Sequence, residues 1–381
     1  MSHSSLSLTG QRFIVEYLLQ GTEAQARRAA ELLCLDQTIE APEEILPETP
    51  IGTDILGRIE QFTTMQADRH QVVISYPVEL FGSTCTQLLH TLFGTVSMKP
   101  GIRLMRLNLP DTLPEGWPGP RFGQTGVRVL VDIPQRPLVC VVLKPLSLSP
   151  QALADLAYQF AVGGVDLIKD DQGLADHPFC PFAERVKRCA EAVARANRET
   201  GKTCLYVPHV SGPWELLHSQ CLLAEQAGAG GLLICPGLTG YDALREIARD
   251  DAIALPIMSH PAMLGSYYVS PTSGITPSVL FGQLPRLVGA DITIFPTYGL
   301  EFPISREDCL AIATACRAQW GPLKPTLPTA AGRMWLGRVE EMHKDFGPEV
   351  VFILGSQVQR EPDGFVQACQ RFLSEVERHA R

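Results

Sequence analysis

The residues best suited to chemistry lie in one short run, GGVDLIKDDQG (163–173), where an apolar stretch ends in Lys169, Asp170 and Asp171. Two adjacent acids offer oxygens to a hard cation such as Mg²⁺. The ammonium of Lys169 repels that cation, so the lysine becomes a ligand only if its charge is removed or reversed. The alternative is a plain ion pair with Asp170 or Asp171. Other polar residues close apolar runs in the same way: Lys144 ends LVCVVLK (138–144), His209 ends TCLYVPH (203–209), His260 ends ALPIMSH (254–260) and Gly355 ends VVFILG (350–355). A buried lysine beside a cation can be driven toward its neutral form and then act as a base. His177, in the loop after the lysine–aspartate run, reads as structural. The eleven cysteines are scattered singly, with an odd count and no C-x-x-C. That fits reduced thiols used as small hydrophobes better than a disulfide framework or a zinc site. Any metal is therefore expected on oxygen.

These residues need elements to hold them. From about Pro137, eight short apolar runs (138–144, 165–170, 203–209, 230–236, 254–260, 291–296, 325–330 and 350–355) alternate with stretches of helical character such as 182–199 and 213–227. Continuous apolar runs mark strands buried on both faces, as in a parallel sheet. Eight of them with interleaved helices give a (β/α)8 TIM barrel, whose sites lie at the C-terminal ends of the strands. A doubly wound sheet competes with that reading, but it requires a glycine-rich loop after its first strand, and KPLSLSP is not one. Residues 1–135 read as a small α+β domain of ferredoxin-like type with an antiparallel sheet: a strand at 11–19, an Ala-rich helix at 22–33, a strand at 71–76 and a helix at 84–93. The Pro- and Gly-dense stretch 109–124 reads as a connector, and 136–381 as the barrel. With 32 Lys+Arg against 41 Asp+Glu the net charge is −9, which argues against nucleic acid as a partner. No window approaches ~18 uninterrupted apolar residues, and the N-terminal residues lack a secretion signal. The expectation is a cytoplasmic protein with no membrane partner.

The run G-G-V-D-L-I-K-D-D-Q resembles the strand G-G-x-D-x-x-K-D-D-E of the ribulose-bisphosphate carboxylase large subunit, and the chain is most similar to its non-carboxylating relatives, the RuBisCO-like proteins. The resemblance extends over some 300 residues. LKPLSLSP (143–150) resembles the family's first barrel strand, MSHPAM (258–263) its H-R-A-M, ETPIGT (48–53) its E-S-S-T-G-T, and YPVELF with TLFGTV (76–96) its Y-P-x-x-L-F…I-V-G-N-V. It implies that Lys169 reacts with CO₂ to form a carbamate, and that this carbamate and Asp171 bind Mg²⁺. Gln172 stands in place of the family's glutamate and leaves the site one negative charge short. It further implies Lys144 as the proton-handling lysine, with Lys99 in SMKPG as the second choice, and His260 as an active-site histidine. Glu48 would be a substrate-proximal acid supplied across a homodimer whose site lies at the subunit interface. His209 has no family role and is read as a substrate contact.

Departures from the pattern narrow the function. The segment 295–308 has no lysine where the carboxylases carry their mobile-loop lysine. Leu146 replaces a second lysine, Thr95 a substrate-contacting asparagine, and Pro261, Ile294 and Ala331 replace three holders of a second phosphate. One phosphate site persists: Thr53, Gly332, Gly355 and Ser356, with Arg333 adding charge. The expectation is enediolate chemistry on a small phosphorylated sugar or sugar acid, without CO₂ fixation. Decarboxylation or cleavage of 3-oxo-isoapionate 4-phosphate ranks first. Isomerase or enolase chemistry on methylthioribulose phosphate or a diketo-methylthiopentyl phosphate ranks second. A non-catalytic sugar-phosphate-binding protein is the reading from another class.

Overall fold

The computed structural model describes residues 8–41, 54–110, 117–299, 301–332, 334–355 and 364–380, and the chain divides into two compact units. The first unit comprises Met1–Trp117 with Leu264–Gln283 and Gln319–Pro322, and the second comprises Pro118–Met263, Leu284–Ala318 and Leu323–Arg381.

In the first unit, strand β1 (Arg12–Gln20) buries Phe13, Val15, Tyr17 and Leu19 and turns the intervening residues outward, the period-2 pattern of a half-buried strand. Helix α1 (Glu23–Asp36) begins at a capping box between Thr22 and Gln25. Strands β2 (Arg58–Gln66) and β3 (Arg69–Pro77), helix α2 (Cys85–Phe93) and strand β4 (Ile102–Asn108) follow. The sheet order β4–β1–β3–β2, antiparallel throughout, is that of a ferredoxin-like fold. A two-residue strand from far along the chain, Gly274–Ile275 (β10), adds to β4 in parallel.

The second unit opens with helix α3 (Gly123–Val131). Then come β5 (Leu138–Leu143), α4 (Pro150–Val162), β6 (Leu167–Asp170), α5 (Phe182–Thr200), β7 (Leu205–Val207), α6 (Trp214–Gln226), β8 (Leu232–Ile234), α7 (Tyr241–Arg249), β9 (Ile257–Ser259), α8 (Leu284–Val288), β11 (Ile292–Thr293), α9 (Arg306–Arg317), β12 (Leu327–Ala331), α10 (Val339–Phe346), β13 (Val351–Leu354) and α11 (Phe365–Ala380). The eight strands form one sheet, β7–β6–β5–β13–β12–β11–β9–β8, and neighbouring strands in it pair in parallel. The ring closes between β7 and β8: Leu233 N donates to Pro208 O (2.8 Å) and Val210 N to Leu233 O (3.1 Å). Each of the eight apolar runs supplies one barrel strand.

Alternate residues fill the barrel. Leu138, Cys140 and Val142 of β5 share a core cluster with Leu167, Val207, Leu233, Met258, Ile292, Leu327, Val351 and Ile353. Val127 and Val131 of α3 join it next to the first residues of β5, β12 and β13, so this helix closes the N-terminal end. Two buried aspartates fix that end. Asp166 accepts both Arg136 donors (2.7 Å each) and Val139 N (2.7 Å), tying β5 to the start of β6. Asp291 accepts from Phe122 N, Gly123 N and Ile257 N at 2.7–2.9 Å, and burial nevertheless pushes its carboxyl up to about 6. Gly123 is required there: its φ is +63°, and a Cβ would meet Lys324 Cβ and Pro325 O at 2.9 Å. All eleven cysteines are buried thiols, none of them in a disulfide. Among the described residues, no helix is long and apolar enough to cross a membrane.

Candidate active site

Strand alternation separates the lysine and the two aspartates. On β6, Leu167 and Lys169 face the barrel interior, whereas Ile168 and Asp170 face the surrounding helices. Asp171, one residue beyond the strand, returns to the inside. Lys169 is 2% exposed, and its Nζ donates to the Asp170 carbonyl at 2.9 Å. Burial lowers the affinity of its amine for a proton, against the opposing pull of Asp171 and Asp170. Asp171 Oδ1 accepts from Gly173 N (2.9 Å), which shapes the turn through Gln172. Its Oδ2 lies 2.9 Å from Lys144 Nζ but is a buried oxygen with no aligned hydrogen-bond donor.

Asp170 is spent on architecture. Its side chain is fully buried and accepts from Arg185 Nε (3.1 Å), Tyr206 OH (2.9 Å) and His209 N (3.1 Å). Arg185, on α5 and also fully buried, donates further to the carbonyls of Leu174, Ala175 and Cys180. The loop after the strand is therefore held to the helix behind it. His177, hydrogen-bonded to Gly173 O (2.8 Å) and stacked on Phe179, belongs to the same loop.

A cavity of about 310 Å³ at the C-terminal ends of the strands is lined by Lys144, Lys169, Asp171, Gln172, His260, Gly332 and Gly355, with Val142, Ile294, Ala331, Ile353 and Glu301 completing the wall. Seven residues singled out by sequence thus converge on one space. His260 accepts from Ala262 N at Nδ1 (3.1 Å), so its neutral ring carries the proton on Nε2. Burial, and then the charges of Lys169, His209 and Lys144, hold it well below the usual imidazole range. Its neutral ring can donate from Nε2 to a substrate oxygen.

The remaining sequence candidates are placed elsewhere. His209 is buried outside this lining: its Nδ1 lies 3.2 Å from Leu174 O and its Nε2 lies 3.4 Å from Cys235 Sγ, so both ring nitrogens are occupied within the protein. Lys99 belongs to the first unit, where it pairs with Asp36. Glu48, Thr53, Arg333 and Ser356 lie outside the described residues. Two participants escaped the sequence reading. Arg185 looks like any charge on an amphipathic helix, and Glu301 lies in a loop without periodicity.

Residues 125–302 match the family model described as "Ribulose bisphosphate carboxylase large chain, catalytic domain". The chain is 36% identical over 371 residues to ribulose bisphosphate carboxylase-like protein 1 of Rhodopseudomonas palustris, covering 97% of this chain and 99% of that one. It is 35% identical over 366 residues to a protein of Rhodospirillum rubrum named 5-methylthioribulose-1-phosphate isomerase, covering 96% of each. The crystal structure of a Rubisco-like protein from Rhodopseudomonas palustris superposes with a TM-score of 0.88 at 35% identity, over 97% of this chain and 99% of that chain.

Proposed function

The chain belongs to the RuBisCO-like proteins of the ribulose bisphosphate carboxylase large-chain family, and from that premise we propose that it isomerises a methylthioribulose-type ketose monophosphate through an enediolate. The observation that carries this reading is the composition of the cavity. It keeps the strand-end cluster Lys144, Lys169, Asp171 and Gln172 and two loop glycines, while Ala331 at the end of β12 and Ile294 after β11 make the wall beyond the glycines apolar. Such a wall suits one phosphate and an uncharged remainder. The decarboxylation or cleavage of 3-oxo-isoapionate 4-phosphate ranked first on sequence, but neither activity is that of the named isomerase relative, whose similarity spans nearly the whole chain. The isomerase reading replaces it.

The donor set fits a divalent cation on one condition. Asp171 Oδ2 is a buried oxygen lacking an aligned donor, and Gln172 can offer an amide oxygen beside it. Lys169 fits only as a carbamate, and burial favours the neutral amine, the form that attacks CO₂ and then loses a proton. Lys169, Asp171 and Gln172 would then hold Mg²⁺, which when bound supplies Lewis-acid polarisation of the substrate carbonyl. The other steps belong to the chain's own groups. Lys144, whose Nζ lies 2.9 Å from Asp171 Oδ2, is the base that in its neutral form takes the carbon-bound proton. His260 donates from Nε2 to the enediolate oxygen. Backbone N–H groups at Gly332 and Gly355 hold the phosphate. The proton returns to the neighbouring carbon, so substrate and product have the same composition. The active form is a homodimer, in which Glu48 and Thr53 come from the partner's small unit.

The test is incubation with 5-methylthioribulose 1-phosphate, Mg²⁺ and bicarbonate in D₂O. The expected result is an isomerised ketose phosphate and deuterium at the exchanging carbon, with Lys144→Met slowing exchange by ~10²–10⁴-fold. A wild-type enzyme that binds the compound without exchange or product supports a sugar-phosphate-binding protein instead.

A further inference from the structure

We propose that His209 is a positioning residue for this cavity: as a neutral ring protonated on Nδ1 it holds the turn that presents Asp171 and Gln172, and the Cys235 thiol fixes that tautomer from the other side. The inference rests on reading the cavity as the substrate site. It gives His209 a task other than the substrate contact expected from sequence.

The hydrogen bonds leave one arrangement of protons. Leu174 O, 3.2 Å from His209 Nδ1, can only accept, so Nδ1 carries the ring's proton. Nε2 is then a bare lone pair, and Cys235 Sγ at 3.4 Å is its donor. The thiol has a proton to give, because burial pushes it up to about 12. The ring itself is 2% exposed, and burial, then the charges of Lys169 and Arg185, outweigh the pull of Asp170 and keep it neutral. The relay therefore runs one way, from the thiol to Nε2 and from Nδ1 to the Leu174 carbonyl. His260 carries its proton on the opposite nitrogen, because Ala262 N donates to its Nδ1. Two strand-end imidazoles thus hold opposite tautomers: one offers its N–H to the cavity, the other spends it on a turn.

Leu174 is the far end of that turn. Its N donates to Asp171 O (2.9 Å) and Gly173 N donates to Asp171 Oδ1 (2.9 Å), so residues 171–174 close on themselves. His209 grips the turn at both ends. Its backbone N donates to Asp170 Oδ2 (3.1 Å), just before the turn, and its ring donates to Leu174 O at the finish. Arg185 also reaches Leu174 O, at 3.3 Å. Arg185 comes from α5, whereas His209 follows β7, the strand beside β6. The turn is held from two directions, and a rotation that carried Asp171 and Gln172 out of the cavity breaks the ring's bond to Leu174. Support of this kind sets the geometry of the cavity without touching the substrate.

The experiment replaces the ring by two amides. Asparagine places an N–H near the position of Nδ1, and glutamine places one near Nε2, so His209→Asn keeps the bond to Leu174 O and His209→Gln loses it. With 5-methylthioribulose 1-phosphate, Mg²⁺ and bicarbonate in D₂O, kcat for exchange should fall by ~10–100-fold in His209→Gln. KM should change little, and kcat should largely recover in His209→Asn. Equal loss in both variants, or none in either, overturns the positioning role. Two readouts stand apart from turnover. The ¹⁵N ring shifts of wild type should show Nδ1–H for His209 and Nε2–H for His260. Amide exchange at Gly173 and Leu174 should be faster in His209→Gln than in wild type or His209→Asn. Nε2–H on His209, or amides that exchange alike in both variants, overturns the inference and leaves the isomerase reading standing. A wild type inactive on this compound, yet showing the expected tautomer and amide pattern, overturns the isomerase reading and supports the role of His209.

Discussion

Lys169 and Asp171 face one cavity because they stand two residues apart at the end of a strand, and Asp170 faces away for the same reason. The motif is therefore two devices in one: a lysine–carboxylate pair facing the cavity and an anchor outside. If Lys169 is a carbamate ligand, Mg²⁺ and bicarbonate together should raise the melting temperature of wild type, since a ligand at a hundred times its dissociation constant adds about 2.7 kcal/mol. Lys169→Ala should abolish that rise, and Mg²⁺ without bicarbonate should give little of it; an equal rise in the variant would remove the carbamate from the account. The two buried imidazoles give a second prediction. His260 and His209 are both held below their usual range, chiefly by burial, with positive charge from Lys169 and Lys144 on His260 and from Lys169 and Arg185 on His209, where Asp170 opposes it. The unfolded chain takes up protons near pH 6.5 that the folded chain refuses, so stability falls as pH drops below about 6.5. Urea midpoints in metal-free buffer at pH 7.5 and 5.5 measure this, and His260→Gln should shrink the difference. A midpoint independent of pH would contradict it.

At the scale of elements, the Asp170–Arg185 pair joins β6 to α5 and, through three carbonyls, shapes the loop that carries Asp171 and Gln172. Removing one member of a buried pair costs about 3–5 kcal/mol, because the other charge is left without compensation. Arg185→Met should therefore lower the unfolding free energy by that order, read as a drop in the urea midpoint. Asp170→Asn combined with Arg185→Met should recover part of the loss, and a double variant no better than the single one would argue against an electrostatic cause. The barrel strands were legible because a strand buried on both faces is a continuous apolar run, as LVCVVL shows. Strand β2 was not: its residues are exposed or half-buried throughout, so RIEQFTTMQ has no apolar alternation to find. Helix α3 was hidden because Gly123 and Gly126 gave its start the look of a connector, and its capping contacts come from Asp291, far away in sequence. The strand-end lysines and His260 could be found from position alone. His209 shared that position, yet its ring is consumed by Leu174 and Cys235, a difference only tertiary packing decides.

At the scale of the whole molecule, the described cavity is lined entirely by the second unit, whereas the family resemblance assigns Glu48 and Thr53 of the small unit to the site of a partner. The barrel surface supports such an assembly. Phe179, Trp214, Leu238 and Met263 follow β6, β7, β8 and β9 in turn and are 56%, 43%, 55% and 72% exposed. Large apolar side chains repeated on four successive loops at one end of a barrel are costly to leave in water, and a second copy of the chain is expected to cover them. In a two-fold dimer the same patch serves both copies. Sedimentation should therefore give at least a dimer. Trp214→Glu with Leu238→Glu places like charges across the two-fold contact and should shift the protein toward monomers at micromolar concentration. Activity should fall in parallel with the dimer fraction, because the partner's acid and phosphate contact leave with it, while the melting of the barrel itself should change little. A monomeric double variant with full activity would show that one chain suffices for the chemistry and would remove Glu48 and Thr53 from the site.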